Sequence, residues 1–566
     1  MRYKQWEVNG FDRDAAVELY RKGINPLVSV FMASKGVTDL DAVRALMGDA
    51  PAEIHDPFLM AGMDKAVARI RTAVENGERI AIYGDYDVDG ITSCVILAQW
   101  LRLKDADFVI YIPGRFFEGY GLNCPALDIL KERGVSLVVT VDCGITAIEE
   151  AEYAESLGME LVITDHHECR EDLPKACAVV DPKRPDCMYP HKTLAGVGVV
   201  FKLLCALERD ACMDEMFRRY GDLVAVGTIA DVMPVTGENR ELIRRGLRVI
   251  NSDPRPGLFR LLRETYPERG KVTAATVGFT IAPRLNAAGR MGQTSLSVDL
   301  LLTEDDAEAE KLTAELIRLN AERRRLEIET YEDAATLLPE SGPDGPIVLA
   351  KRGWYQGVTG IVAAKMAERY LLPAIIISID EDGMGRGSCR SFGTFGIYGA
   401  LRTCEDILDN YGGHEMAAGV TIEEENIGEL RRRVTRYYNE SIVTELKRGL
   451  ILDFEVEKPE LLTIQNVEAL ERLEPFGNGY PPPCLCIKNA ELTALYSIGA
   501  GKHTRLRIEK SGKNLDCIYF SMPSEDLAVS EGMLVDVAFG PQINEFRGRT
   551  GVQLFVVDIK AADDNR

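Results

Sequence analysis

The sequence lacks the marks of a secreted or membrane-bound protein. No apolar run approaches the roughly 18 residues that a membrane span needs, and residues 1–6 lack the apolar stretch of a signal peptide. The 13 cysteines form no C-x-x-C pair, which argues against a zinc site and against a disulfide framework. We therefore expect a cytoplasmic protein with reduced thiols and no membrane contact.

Positive charge is also scarce. The chain has 66 Lys and Arg against 89 Asp and Glu, a formal net charge of -23. Proteins that coat nucleic acid need clustered positive charge, so any nucleic-acid site must be local. Apolar residues make up 46% of the chain and charged residues 27%, as in ordinary folded proteins. A length of 566 residues predicts several domains.

The apolar pattern changes along the chain. From about residue 79, short apolar runs alternate with helix-like segments, which indicates a parallel sheet covered by helices. Residues 305–338 contain no Gly or Pro and favour one long helix. Short alternating segments after about residue 450 predict a small β-barrel. The predicted segments are an N-terminal helical segment, a sheet lobe, a connecting helix, a second α/β lobe and a barrel, at residues 1–60, 61–304, 305–338, 339–450 and 451–566.

Three alternate carboxylates, Asp85, Asp87 and Asp89, follow the first predicted strand. Like charges this close repel one another unless a cation neutralises them. The spacing matches the start of an EF-hand loop, but Ile96 occupies the twelfth position, where calcium needs a Glu. A strand, not a helix, also precedes the motif. The pattern therefore predicts a metal site of another kind.

Two further predicted strands end in candidate ligands. Residues 137–141 lead into Asp142, residues 161–164 lead into Asp165-His166-His167, and Asp231 follows another apolar stretch. The carboxyl ends of parallel strands meet at one edge of a sheet, so we expect these side chains to converge. Carboxylates combined with imidazole suit Mn²⁺ or Mg²⁺. We expect two ions and hydrolysis of a phosphoester.

A second histidine motif, at residues 412–419, begins with Gly412-Gly413-His414-Glu415. A zinc protease of this type needs a second His four positions after the first, and Ala418 stands there. We therefore reject a protease.

Asp165-His166-His167, together with residues 87–90, resembles the signature of the DHH phosphoesterase superfamily, and residues 412–419 resemble the glycine-rich motif of its DHHA1 partner domain. Residues 194–198, 227–234, 283–291 and 474–477 extend the similarity to the bacterial single-strand-specific 5′ exonucleases of that superfamily. The resemblance implies an α/β multidomain fold. A parallel-sheet DHH lobe is joined by a long helix to a DHHA1 α/β lobe, and an OB-fold β-barrel that binds nucleic acid follows.

The resemblance also implies roles for individual residues. His167 is placed to contact the scissile phosphate and acts with the metal ligands in catalysis, while Asp165 supports the imidazoles. The implied metal ligands are Asp85, Asp87, Asp89, Asp142, His166 and Asp231. Implied substrate contacts, several of them to phosphate near the 5′ end, are Arg115, His167, Arg284, Asn286, Arg290, Ser388, Arg390 and His414.

In the predicted barrel, basic and aromatic side chains could hold a single strand, as OB-folds do. The basic residues are Lys502, His503, Arg505 and Arg507, and the aromatic residues, suited to stacking or to the core, are Tyr496, Tyr519, Phe520 and Phe546. Two positions depart from the family pattern. Tyr355 stands where His is common, which argues against proton transfer there, and residues 477–481 replace a Gly-x-Gly-Asn-Pro turn.

The function that the resemblance implies is metal-dependent 5′-to-3′ hydrolysis of single-stranded DNA to mononucleotides in DNA repair and recombination. The expected partners are single-stranded DNA, a single-strand-binding protein and a helicase, and we expect a monomer. One alternative is an oligoribonucleotide or cyclic-dinucleotide phosphodiesterase, which would have little use for the barrel. Another is a non-catalytic single-strand-binding relative, against which the complete ligand set argues.

Overall fold

The computed structural model of the protein describes residue 3 and residues 5–50, 54–114, 121–266, 270–441, 449–546 and 549–562. The chain forms two compact units. The first contains residues 1–54, 234–237 and 446–566, and the second contains residues 55–233 and 238–445. The predicted N-terminal segment thus shares a unit with the C-terminal barrel. The finer division into five segments stays a prediction.

The first unit begins with a strand and three helices that have side-chain caps. Asp12, Asn25 and Asp39 accept hydrogen bonds from amides at the start of the three helices. These bonds satisfy donors that have no partner within a helix. The elements are β1 (Gln5–Val8), α1 (Arg13–Arg21), α2 (Pro26–Ser34) and α3 (Leu40–Met47).

A five-stranded parallel sheet forms the centre of the second unit. Its strands, in the order β3-β2-β4-β5-β6, are β2 (Ile80–Gly84), β3 (Phe108–Tyr111), β4 (Leu137–Val141), β5 (Glu160–Thr164) and β6 (Ala178–Val180). Strands β2 and β4 are buried along their whole length, which explains their continuous apolar sequences. The strand order reverses between β2 and β4, so a crevice forms at their carboxyl ends.

Helices precede, connect and follow the strands of this sheet. Between α12 and α13, residues Val277–Ile281 form a π-helical turn. The helices are α4 (Met63–Asn76), α5 (Val88–Leu103), α6 (Cys124–Glu132), α7 (Ile148–Ser156), α8 (Gly196–Leu207), α9 (Met213–Ala230), α10 (Gly237–Ser252), α11 (Pro256–Thr265), α12 (Ala274–Thr276), α13 (Ala282–Arg290) and α14 (Thr294–Leu302).

A 31-residue helix, α15 (Asp306–Thr336), follows these elements. The side chain of Asp305 caps it by accepting a hydrogen bond from the backbone amide of Glu308. This is the long helix that the composition of residues 305–338 predicts.

The second unit ends in a mixed five-stranded sheet with the order β10-β11-β9-β8-β7. Strands β7 and β8 are parallel, and the other neighbours are antiparallel. The hairpin of β10 and β11 carries the glycine-rich motif. The elements are β7 (Ile347–Arg352), α16 (Gln356–Tyr370), β8 (Ala374–Ile379), β9 (Met384–Arg390), α17 (Ile397–Arg402), β10 (Asn410–His414), β11 (Ala417–Glu423) and α18 (Ile427–Glu440).

The C-terminal part of the first unit is a closed barrel. Its elements are β12 (Gly449–Leu452), β13 (Phe454–Glu455), α19 (Ile464–Glu471), β14 (Leu485–Ile498), β15 (His503–Lys510), β16 (Lys513–Tyr519), β17 (Leu534–Phe546) and β18 (Arg549–Ala561). The barrel strands follow the order β14-β15-β16-β18-β17, and pairing of β14 with β17 closes the circle. Leu27 and Phe31 of α2 share one buried cluster with Leu485 and Phe539 of the barrel.

The elements confirm the predicted fold class: a parallel-sheet lobe, a long helix, a second α/β lobe and a β-barrel. Within the described part of the chain, no helix has both the length and the apolar character that crossing a bilayer requires.

Candidate metal centre

Three carboxylates lie where β2 meets α5. Asp85 follows β2 directly and is 5% exposed. Asp87 caps α5, because its Oδ1 accepts a hydrogen bond of 3.1 Å from the backbone amide of Gly90. Asp89 lies in the first turn of α5 and is 1% exposed. The strand and the helix cap therefore direct all three acids to the crevice of the sheet.

The N-terminus of α8 holds the carboxylate of Asp89. The amide of Gly196 donates to Asp89 Oδ2 at 2.6 Å, and the amide of Val197 donates to Oδ1 at 2.8 Å. Helix N-termini favour negative charge, so this contact stabilises the ionised carboxylate. A Cβ atom at Gly196 would lie 2.6 Å from the Cβ of Asp142. Glycine is therefore required for α8 to approach these acids.

His166 lies among carboxylates from three different elements. Its Nε2 lies 3.0 Å from Asp142 Oδ1, 3.6 Å from Asp231 Oδ2 and 3.8 Å from Asp89 Oδ2. Burial lowers the pKa of His166 to about 3, so the ring is neutral and able to ligate a metal. The strand exits thus converge, as expected from the sequence.

In each of three groups of possible ligand residues, the ligand atoms lie within 4.8 Å of one another. In the group of Asp142, Asp165, His166 and His167, the carboxylate of Asp165 already contacts Nδ1 of His167. The other two groups contain three residues each. Each of these two is compact enough to surround one ion, which agrees with the expectation of two ions. These two groups are Asp85, Asp87 and Asp142, and Asp89, His166 and Asp231.

The carboxylates strongly disfavour one another's charge. Burial and the charge of Asp87 raise the pKa of Asp89 to about 7. Burial and the charge of Asp89 raise the pKa of Asp231 to about 8, and the same two causes raise the pKa of Asp142 well above its usual range. Oδ1 of Asp142 and Oδ2 of Asp231 are buried and lie close to Nε2 of His166. Among the described residues, neither oxygen accepts a hydrogen bond. A divalent cation would relieve this repulsion, so the residues fit Mn²⁺ or Mg²⁺.

Asp165 organises the loop that carries the two histidines. It accepts hydrogen bonds from the amides of Ile145 at 2.9 Å and His166 at 2.7 Å, and it contacts Nδ1 of His167 at 2.7 Å. Burial lowers the pKa of His167, but this contact and the nearby acids outweigh burial and raise the pKa to about 9. Burial would raise the pKa of Asp165, but its contacts hold that pKa below the usual value. The position of His167 is therefore fixed by Asp165.

A cleft of ≈ 500 Å³ opens beside the carboxylates. Helix α13 contributes Asn286 and Arg290, β9 contributes Arg390, and the hairpin of β10 and β11 contributes His414. His167 also reaches the cleft. Acidic and basic side chains thus share one cavity, which suits a phosphate bound next to metal ions.

Two other predicted substrate residues lie outside this lining. Among the described residues that line the cleft, Arg284 and Ser388 do not occur. The guanidinium of Arg284 donates to the carbonyl of Thr280 at 2.5 Å, and the hydroxyl of Ser388 lies 3.1 Å from that of Thr359. Their substrate roles stay predictions. Arg115 lies outside the described residues.

Tyr355, the departure from the family pattern, is the N-cap residue of α16. It does not belong to the described lining of the cleft. A proton-transfer role at this position gains no support.

Sequence reasoning missed Tyr86, Gly289 and the backbone amides of α8. A Cβ atom at Gly289 would lie 2.5 Å from the carbonyl oxygen of Tyr86, so α13 needs glycine to reach the loop of acids. The signal was present in the glycines of residues 194–198 and 283–291. Their partners could not be identified without the structure, because those partners are distant in sequence.

Comparison with known protein families gives three matches along the chain. Residues 79–228 match the DHH family, N-terminal domain. Residues 344–440 match the DHHA1 domain, and residues 452–558 match the RecJ OB domain. The matches confirm the DHH and DHHA1 resemblance.

Individual relatives extend the similarity over nearly the whole chain. The single-stranded-DNA-specific exonuclease RecJ of Bacillus subtilis is 38% identical over 570 residues, which cover 99% of this chain and 71% of that protein. The crystal structure of RecJ from Thermus thermophilus with Mn²⁺ superposes with a TM-score of 0.84 at 31% identity, covering 99% of this chain and 80% of the other. The same protein with Mg²⁺ gives a TM-score of 0.78 at 30% identity, covering 99% of this chain and 79% of the other.

Proposed function

Because the chain belongs to the RecJ family of single-stranded-DNA-specific exonucleases, we propose that it hydrolyses single-stranded DNA from the 5′ end to mononucleotides. The observation that carries the proposal is the pair of ligand groups beside a cleft lined with basic side chains. Paired metal sites beside phosphate contacts are an arrangement that catalyses phosphodiester hydrolysis. We further propose that this activity serves DNA repair and recombination.

Two ions of Mn²⁺ or Mg²⁺ would be held by the two groups of three ligands, which are Asp85, Asp87 and Asp142, and Asp89, His166 and Asp231. When bound, the ions supply an activated water and neutralise charge that develops on the phosphate. His167, fixed by Asp165, donates a hydrogen bond to a phosphate oxygen in the cleft. Its role is to stabilise charge on that oxygen as the bond to phosphorus breaks.

Terminal phosphate is the feature that selects the 5′ end in this proposal. Arg290 and Arg390 line the same cleft as His414. Guanidinium groups bind phosphate oxygens through paired hydrogen bonds, and a terminal phosphate carries more charge than an internal one. Gly412 and Gly413 also line the cleft, where the lack of a side chain would let backbone approach the nucleotide.

A pair of end-labelled substrates tests the polarity. Single strands labelled at either end are incubated with the protein and Mn²⁺, and products are resolved by length over time. We expect the 5′ label to appear early as a mononucleotide, while the 3′ label stays on long fragments. Early release of only the 3′ label would contradict the proposed direction, and cleavage in the interior would contradict an exonuclease.

The barrel provides a face for bases in this proposal. Tyr519 is 2% exposed and belongs to the core, whereas Tyr496 is 57% and Phe520 is 48% exposed. Tyr496 pairs with Arg505 across neighbouring strands, and Phe520 lies 5.3 Å from the ring of His503. Exposed rings beside basic groups are the platform on which OB-folds stack bases. The side chain of Phe546 lies outside the described residues.

Substitution of Tyr496 tests this face. We expect Tyr496→Ala to weaken binding of a labelled oligonucleotide in EDTA by about 5- to 150-fold, since stacking contributes about 1 to 3 kcal/mol per base. Fluorescence anisotropy measures the change. Tyr20→Ala is a matched control, because Tyr20 of α1 is also 57% exposed and lies in the same unit. Equal affinities of the two variants would contradict the stacking role.

The proposal also covers the oligomeric state, the location and the partners of the protein. The protein acts as a monomer in the cytoplasm, where a single-strand-binding protein and a helicase supply its substrate. Sedimentation of the purified protein tests the monomer, and fractionation of cells tests the location. Co-purification with tagged candidates from those two classes tests the partners.

A further inference from the structure

The first turn of α10 contains two buried polar residues outside the ligand groups. Glu238 is 1% exposed and Asn239 is 0% exposed. Both contact the segment that leads into α8, the helix whose first amides hold Asp89. These contacts connect α10 with the segment before α8, and the first amides of α8 connect that segment with Asp89 of the metal centre.

Glu238 contacts one residue before and one residue after Gly196, the first residue of α8. It accepts a hydrogen bond of 2.5 Å from the hydroxyl of Tyr189, before Gly196, and one of 2.9 Å from the ammonium of Lys202, within α8. The side chains of Lys202 and Glu238 are both 0% exposed. Breaking a buried ion pair leaves an uncompensated charge, so these two groups keep a fixed relative position.

Asn239 holds the middle of the same segment. Its Nδ2 donates to the carbonyl oxygen of Thr193 at 2.5 Å, three residues before Gly196. The segment between Tyr189 and Gly196 contains no strand or helix of its own. Side-chain contacts such as this one therefore help to fix its path.

We propose that Glu238 and Asn239 are positioning residues for the metal centre. They fix the start of α8, and the amides of Gly196 and Val197 then hold the two oxygens of Asp89, which would ligate the metal. Groups that orient a ligand typically change metal affinity about 10- to 100-fold when removed. The inference rests on the metal-dependent function proposed above.

Two variants test this arrangement in the full-length protein. Asn239→Ala removes the contact with Thr193, and Tyr189→Phe removes a single hydroxyl donor to Glu238 with little change in volume. Electron paramagnetic resonance of free Mn²⁺ gives the affinity without DNA. We expect Asn239→Ala to bind Mn²⁺ about 10- to 100-fold more weakly, with turnover largely recovered at saturating Mn²⁺.

Asn251→Ala is the matched control. Asn251 lies on the same helix and donates to the carbonyls of Leu247 and Val272 at 2.7 and 2.9 Å, but it does not contact the segment before α8. We expect it to change thermal stability and leave Mn²⁺ affinity within about twofold, below the range for orienting groups. Weaker Mn²⁺ binding by either test variant supports the proposal. Affinities of both test variants equal to that of Asn251→Ala overturn it.

The Mn²⁺ affinities are measured without DNA, so they do not depend on which substrate the protein cleaves. If the protein binds Mn²⁺ but does not degrade single-stranded DNA, the proposed function fails and the positioning role can still be measured. If DNA is degraded from the 5′ end while both variants bind Mn²⁺ normally, the positioning role fails alone.

Discussion

Asp142→Asn should lower turnover of single-stranded DNA at saturating Mn²⁺ by at least about 10³-fold, equivalent to about 4 kcal/mol. Asp142 forms one group of three ligands with Asp85 and Asp87, and it lies 3.0 Å from His166, which groups with Asp89 and Asp231. An amide keeps the shape of the side chain but supplies no negative charge to bind a cation. Initial rates over a range of Mn²⁺ concentrations provide the measurement.

The same variant should fold at least as stably as the unsubstituted protein in EDTA. Burial and neighbouring carboxylates disfavour the ionised form of Asp142, so removing its charge relieves repulsion when no metal is bound. Asp558→Asn is the control, because Asp558 is also buried but accepts a hydrogen bond from Trp6 in the first unit. Turnover of Asp142→Asn equal to that of the control would refute the proposed centre.

His167→Ala should lower the maximal rate by about 10²- to 10³-fold, as loss of one donor to a reacting oxygen does. The side chain of His167 is 35% exposed and faces the cleft, whereas that of His166 is 5% exposed among carboxylates. We therefore expect His167→Ala to retain most of its Mn²⁺ affinity and His166→Ala to lose much of it. Calorimetric titration with Mn²⁺ and single-turnover kinetics separate the two effects. A greater loss of affinity in His167→Ala would reverse the assigned roles.

The convergence of the acids was predictable because it depends on a local rule. Asp85 and Asp142 each follow a buried parallel strand, and such strands end at the same edge of a sheet. The sequence alone therefore predicted that these acids lie close together. It could not reveal that amides of α8 hold Asp89, because the glycines of residues 194–198 do not show which distant residue the helix approaches.

The arginines show what the sequence could not predict. Arg284 and Arg290 lie on one helix, α13, yet only Arg290 lines the cleft, while Arg284 donates to the carbonyl of Thr280. The direction of a long side chain depends on which neighbours pack against each face of the helix. Those neighbours come from distant parts of the chain, so a motif match alone does not determine which arginine faces the substrate.

The joint core of α2 and the barrel has a consequence for synthesis on the ribosome. Phe31 leaves the exit tunnel long before Leu485, a barrel residue of the same buried cluster. At usual elongation rates of about 5 to 20 residues per second, the delay is about 20 to 90 s. During that time α2 can pack against Leu19 of α1 and Val43 of α3 but lacks the cover that the barrel provides, so apolar surface of α2 stays open to non-native contacts. Nonsense mutations that remove the last strands should therefore yield chains that aggregate through their first helices.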